Sequence, residues 1–300
     1  MHITSMPFSR MPKPEKWVEW TLLMAATVSA VAILAILVSL VVFCLPLLVS
    51  NRLAEVLSRQ WQPFGGKFGI LPMCAGSLAL SLLALALAFP AAIGICTLVQ
   101  VLANRFLGRF FLAFIRLMTG IPTVVYGFVS VFLLVPLIRS GFTAGTGFSL
   151  LAAALTLSLL VLPTIVLVIH ARMERIDPLL RLSSEAMGFT AIQRVRHILL
   201  PAASRGLVAA AILGFGRAMG DTLIALMVAG NATQFPDSLF LSIRTLTAHI
   251  ALVIATDSQS MAYQSVFAAG LALFLLTGLV TWLIRGLGQK MEAKRYENDI

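Results

Sequence analysis

Charge is scarce in this chain, and the usual catalytic motifs are missing. Charged residues make up 11% of its 300 positions, too few to solvate the surface of a water-soluble protein of this length. No G-x-x-x-x-G-K-[ST] occurs, so there is no P-loop to cradle a nucleotide. No H-E-x-x-H, G-x-S-x-G or Cys/His cluster occurs either, which leaves the hydrolase and metalloenzyme classes without a foothold. His2, His170, His197 and His249 are scattered, and His197 reads as a polar residue of a loop helix. The three cysteines, Cys44, Cys74 and Cys96, lie in or beside apolar runs. Their spacing suits neither a metal nor a disulfide framework, so they read as small packing residues. No enzyme activity, metal or cofactor is expected.

What fills the chain is apolar sequence: 59% hydrophobic residues and a mean hydropathy of +0.97. The fold class is therefore all-α, a polytopic helical membrane protein. Six spans are expected, near 21–49, 70–102, 111–138, 148–170, 207–229 and 263–287. Several exceed the ~20 residues that cross a bilayer, which implies tilt or extra short helices. The chain divides into an N-terminal tail (1–20), a first span with its following loop (21–69), a five-span core (70–287) and a C-terminal tail (288–300). The basic N-terminus precedes an apolar run too long for a removable signal, so the first span is expected to be retained.

The net charge of +10 reads as loop anchoring, not as nucleic-acid binding. With the N-terminus inside, the inner segments hold fifteen Lys and Arg and the outer segments five. That asymmetry puts both termini in the cytoplasm.

Arg217 stands apart. It lies in GFGRAMGDTLIALMVAG, ten residues past Leu207, about 15 Å into a span. An intramembrane arginine faces a cavity or a partner charge. Asp221, four residues on, would share its helical face, and Gly216 and Gly220 would admit a close neighbour. One reading is a self-neutralising ion pair. The other is a cation on an anion path that Asp221 steadies. Arg before Asp is the weaker order for helix stabilisation, which favours the second. A guanidinium also offers forked donors to a tetrahedral oxyanion. Arg116, near the inner end of its span, reads first as an interfacial anchor and second as a lower-vestibule residue.

The third span carries TGIPTVVYG at 119–127. Pro122 cannot donate and frees the carbonyl of Met118, and Gly120 and Gly127 weaken the helix further. A helix broken for gating around Gly120, Pro122 and Thr123 and a plain proline kink both fit. Residues 231–262 form a long outer segment in which Leu239, Ile243, Leu246, Ile250 and Val253 fall at helical spacing. An interfacial or re-entrant helix and a surface helix are both compatible with that stripe.

The largest polar interruption is ARMERIDPLLRLSSEAMGFTAIQRVRHILLPAASRG, residues 171–206, with six arginines. A glycine break at 188, a helical run and a stop at Pro201 give it order. An ordered cytoplasmic element on a protein with little else outside the bilayer looks built to be gripped by a partner.

The spacing Gly188, nine residues, Ile198, Leu200-Pro201 resembles the cytoplasmic signature of the permeases of ABC importers, the binding-protein-dependent transport inner-membrane components. GIPTVVYG (120–127), LPTIV (162–166) and GRAMGDTLIALMVAGN (216–231) narrow the likeness to the permease subunits of the bacterial phosphate importer, the PstC/PstA type and closer to PstC. The resemblance runs from about the second span to the C-terminus and implies the type I importer permease fold. It implies a coupling element that includes Ser184, Glu185, Ala186, Gly188, Ile198, Leu200 and Pro201. It also implies a substrate path carrying Arg217 and Asp221 with Gly216, Gly220 and Thr222. Two departures stand out. Leu182 occupies a position where the family has Glu, with the acid moved to Glu185, and Asp221 replaces a Glu.

The resemblance further implies partners: a cytosolic ATP-binding subunit, a second permease (a heterodimer is expected), a periplasmic binding protein, and phosphate or a similar oxyanion, all set in membrane lipid. Phosphonate, sulfate or molybdate would suit the same arginine. The rival readings are a stand-alone anion channel or secondary transporter, which leaves the ordered loop unexplained, and a membrane scaffold without transport.

Overall fold

The computed structural model describes residues 16–49, 53–101, 105–142, 145–176, 178–254 and 261–298. Helices dominate because a bilayer offers no water to backbone groups, so each apolar run must satisfy its own. The first span is α1 (Lys16–Val49). A short α2 (Leu53–Val56) and a two-stranded antiparallel ribbon, β1 (Trp61–Gln62) with β2 (Lys67–Phe68), follow it. The second span is α3 (Leu71–Val101).

The third expected span is two helices, α4 (Arg105–Thr119) and α5 (Thr123–Gly141). The fourth span, α6 (Leu150–Glu174), is followed by α7 (Pro178–Ala186) and α8 (Ala191–Ala202). The fifth expected span is also broken, into α9 (Ser204–Met219) and α10 (Leu223–Val228). A cap helix, α11 (Leu246–Val253), precedes the sixth span, α12 (Met261–Asn298). Among the described residues five helices are long and apolar enough to cross a membrane, and α8 with α9, bent by 72°, makes a sixth candidate.

The core sits where α3, α6 and α9 meet. In α6, 67% of the most apolar window is buried, against 6% in α1 and in α12. Small residues let α3 and α6 approach: Ala84, Ala88 and Ala92 on one, and Ala152, Ala153 and Ala154 on the other, are all buried. Gly214 of α9 sits where a Cβ would come within 2.8 Å of Ile165 on α6. α12 packs on α9 and α1, and α10 packs on α5.

The start of buried α6 shows how a deep helix end is satisfied. Four backbone donors at a helix N-terminus lack an internal partner. Here Leu150 N–H donates to Leu241 O (3.0 Å), Leu151 N–H to Leu239 O (2.8 Å) and Ala152 N–H to the Ser149 side chain (3.2 Å). The backbone around Leu239 thus lies against the start of α6 as a turn, in which Leu241 N–H donates to Ser238 O at 3.3 Å. The apolar stripe expected to form one helix from Leu239 to Val253 is helical only from Leu246 to Val253.

Candidate functional site

α9 brings Arg217 to its last turn, and the helix ends two residues later at Met219. Asp221 is therefore not on the same helical face, which corrects the expectation of an i, i+4 pair. Its carboxylate Oδ1 accepts the Ile224 N–H at 2.8 Å, so it caps the start of α10, while Thr222 at the cap position makes no side-chain cap bond. Capping and charge share a cause here, since an anion at a helix start meets orphan N–H groups and a positive dipole end. Arg217 and Asp221 form no ion pair. Arg217 is exposed on the protomer and lies within electrostatic range of Asp221 and of Tyr126. Among the described residues, nothing beyond its chain neighbours and its own helix backbone comes within 4 Å of the point where a Gly216 Cβ would stand. Gly216 therefore leaves open space beside Arg217, while a Cβ on Gly220 would lie 3.4 Å from the Gly216 carbonyl oxygen.

The break in the fifth span is held from the far end of the chain. Thr247 Oγ1, on α11, donates to the backbone carbonyl of Asp221 at 3.0 Å. Leu246 N–H donates to Ser77 Oγ of α3 at 2.8 Å. The cap helix is therefore buried against the span break and is not a free surface helix, with Leu246, Thr247, Ala248 and His249 all buried.

The third-span break lies beside it. Pro122 is extended (φ −60°, ψ 144°) at the start of α5. The Met118 carbonyl accepts the Tyr126 hydroxyl at 3.0 Å and the Ile121 N–H at 3.3 Å. Proline freed that carbonyl, as the sequence implied, and a tyrosine four residues on takes it up. Gly120 and Pro122 are exposed, Thr123 half-buried. Past the breaks the two spans touch, since a Cβ on Gly127 would lie 2.8 Å from the sulfur of Met227. Tyr126 and Thr247 were missed in the sequence. Tyr126 left a trace in its spacing from Pro122, whereas Thr247, remote along the chain, left none.

The polar loop folds into a tight corner. α7 ends in a Schellman motif: Phe189 N–H donates to Ser184 O (3.1 Å) and Gly188 N–H to Glu185 O (3.0 Å), with Gly188 at φ +76°. One residue later Thr190 opens α8 with a capping box, its hydroxyl accepting from Gln193 N–H while the Gln193 side chain accepts from Thr190 N–H. Glu185 pairs with Arg194 across the corner, so the displaced acid is used internally. Ser184 is buried, Glu185, Ala186 and Gly188 are exposed, and Ile198, Leu200 and Pro201 are half-buried. Leu182, Met187 and Ile192 are each more than 60% exposed, an apolar surface on an otherwise polar corner.

A bundle of membrane helices with two broken spans and a structured corner between its fourth and fifth spans is the architecture of importer permeases. The solved bacterial alginate ABC transporter in complex with an alginate-pentasaccharide-bound periplasmic protein superposes with a TM-score of 0.59 at 14% identity, over 93% of this chain and 98% of that one. The MetNI methionine ABC transporter in an inward-facing conformation gives 0.54 at 21% identity, over 74% and 94%.

The chain belongs to the family of binding-protein-dependent transport system inner membrane components, which matches residues 84–293. It is 36% identical over 236 residues to a Bacillus subtilis protein described as a probable ABC transporter permease, YqgH, covering 78% of this chain and 76% of that one. It is 27% identical over 303 residues to the phosphate transport system permease protein PstC of Haemophilus influenzae, covering 93% and 95%. This is an inner-membrane permease subunit of an ABC importer. The stand-alone channel and the scaffold give way to that membership.

Proposed function

We propose that this permease carries inorganic phosphate, and that Arg217 is its anion contact. One observation supports the assignment above the rest. Arg217 stands exposed beside an open glycine face at a span break, and the nearby acid caps a helix without neutralising it. A guanidinium so placed presents forked donors to a tetrahedral oxyanion. The contact must be weak enough to release, since tight binding would stall transport. The relatives named as phosphate permeases point to the same substrate. Gly216, Gly220 and Thr222 line the path, and Gly120, Pro122 and Thr123 form a movable joint beside it.

In this reading both termini and the loop of residues 171–206 are cytoplasmic. A separate ATP-binding subunit docks on the corner through Leu182, Met187 and Ile192, with Gly188 setting the turn. Its motion passes through Leu200 and Pro201 into α9 and rocks the spans between outward- and inward-open states. A periplasmic binding protein delivers the anion, and a second permease completes the pore.

The test is ATP-driven uptake of labelled phosphate by the complete complex in liposomes, with sulfate, molybdate and a phosphonate as competitors. Phosphate should be carried and the others should compete weakly. Arg217→Ala should abolish uptake with the complex intact. Full uptake by that variant would remove Arg217 from the path, and preferred uptake of another oxyanion would replace the substrate.

A further inference from the structure

Where α9 begins and the apolar stretch of α12 ends, the two helices leave a cleft that lies outside the proposed anion path. It consists of two adjoining cavities, about 550 Å³ and about 580 Å³, which share Val208 and Gly288 as a common wall. The first is an apolar slot between Phe89, Leu200, Leu207, Ala211 and Ile284, with Arg196 also in its lining. The second opens beside it and carries Arg205, Arg285 and Gln289. Gly288 is buried, and a Cβ there would run into the Val208 side chain. The glycine thus keeps the helices close at one point while the slot stays open beside it.

Two features decide what the cleft would take. Arg205 is the second residue of α9, and Arg285 lies four residues before the end of the apolar stretch Ala262–Gln289. Both arginines therefore sit at the edge of the hydrocarbon, the level of lipid headgroups. The flank of α12 leading there is apolar and exposed, with Leu275, Leu279, Trp282 and Leu283 all open, as expected of a surface facing acyl chains. An apolar slot with Arg196 in its lining, adjoining at Val208 and Gly288 a cavity that carries Arg205 and Arg285, complements one amphiphile. Basic pockets between spans on the cytoplasmic side hold anionic headgroups.

We infer that this cleft binds an anionic phospholipid, its phosphodiester on Arg205, Arg285 and Arg196 and an acyl chain in the slot beside Ala211. The slot is walled by Leu200, Pro201 and Ser204, the joint between the corner and α9. An occupied slot would therefore stiffen the element through which the corner moves the spans.

The full-length chain, purified in detergent and stripped of lipid, would be titrated with phosphatidylglycerol and with phosphatidylcholine and read by native mass spectrometry. Phosphatidylglycerol should bind in preference. The double variant Arg205→Gln/Arg285→Gln should weaken it about thirtyfold, roughly fivefold per charge, and leave phosphatidylcholine unchanged. Ala211→Phe, which fills the slot and keeps every charge, should weaken both lipids and guards against misfolding of the double variant. Equal binding of the two lipids by the native chain would overturn the site. So would undiminished phosphatidylglycerol binding in both variants, or its displacement by millimolar inorganic phosphate. Cross-linking of Ala209→Cys to a second protein chain in native membranes would assign the cleft to a protein interface and overturn it as well.

Discussion

Two spans are interrupted, around residues 120–122 and 220–222, and the two interruptions are made by different means. The first is forced by a proline, and its one freed carbonyl is answered locally, by Tyr126 on the next turn. The second contains no proline. It is held by an acid that caps the following helix and by Thr247 on the distant cap helix. A break satisfied within its own span can move with that span. A break satisfied from α11 ties the middle of the fifth span to the cap helix. The charged residue sits at the second break, and the comparison suggests why. In the proposed reading, an arginine that meets a passing anion sits at the break that Thr247 clamps through the Asp221 carbonyl, beside a proline-made break satisfied within its own span.

The largest expected effect concerns the charge itself. Arg217→Met should cut uptake roughly a hundredfold, the worth of a charged hydrogen bond, with ATP-binding-subunit association unchanged in a pull-down. Arg217→Lys should recover part of it, because an ammonium keeps the charge and loses the fork. Next is the contact that joins the two spans beyond their breaks. Gly127→Val should overpack against Met227 and destabilise the chain by about 1–3 kcal/mol, read as a fall in melting temperature in detergent. Met227→Ala in the same chain should restore part of it.

The comparison itself is tested by a matched pair. Thr247→Val and Tyr126→Phe each remove one hydroxyl from one broken carbonyl, and each should cost about 1 kcal/mol. Thr247→Val should also slow transport, since it unclamps the break that carries Arg217, while Tyr126→Phe should act mainly on stability. Equal effects of the two on uptake would erase the distinction between the breaks.

A pH-dependent effect belongs to the cap. His249 is buried edge-on against Trp61, with ring centroids 4.4 Å apart, and its Nε2 lies 3.3 Å from Ser265 Oγ. Burial, and then the nearby Arg244, pushes its pKa down to about 4. The folded form thus prefers the neutral ring. Its contribution to stability is complete above the ordinary histidine value of about 6.5 and declines as pH falls towards 4. Thermal melts across that window should show the decline, and His249→Phe should flatten it.

Much of the fold was legible because a bilayer simplifies the code. Apolar length gave the spans, and Pro122 announced its break through a missing donor. The second break was not legible. Gly220 and Asp221 fit a continuous helix as well as an interrupted one, and i, i+4 spacing made an ion pair the natural reading. What decides the matter is Thr247, which reaches the site only through the tertiary fold. The outer stripe misled for a similar reason. Leu239 keeps helical spacing with Leu246, yet its carbonyl is taken up by the buried start of α6, and the segment there is a turn and not a helix. At the corner, glycine and proline marked the ends, while the pairing of Glu185 with Arg194 depended on the fold of the turn between them.

The way α6 is begun has a consequence for how this chain can vary. Leu239 and Leu241 contribute main-chain oxygens to the helix start, and every residue type owns such an oxygen. Natural drift at those two exposed positions is therefore cheap, and a scan of single substitutions would score both as nearly silent. A deletion of one residue there would shift the oxygens out of register and leave the deepest helix of the molecule with unanswered donors. The segment is tolerant in composition and intolerant in length, so its importance would show in alignments through missing gaps and not through conserved letters.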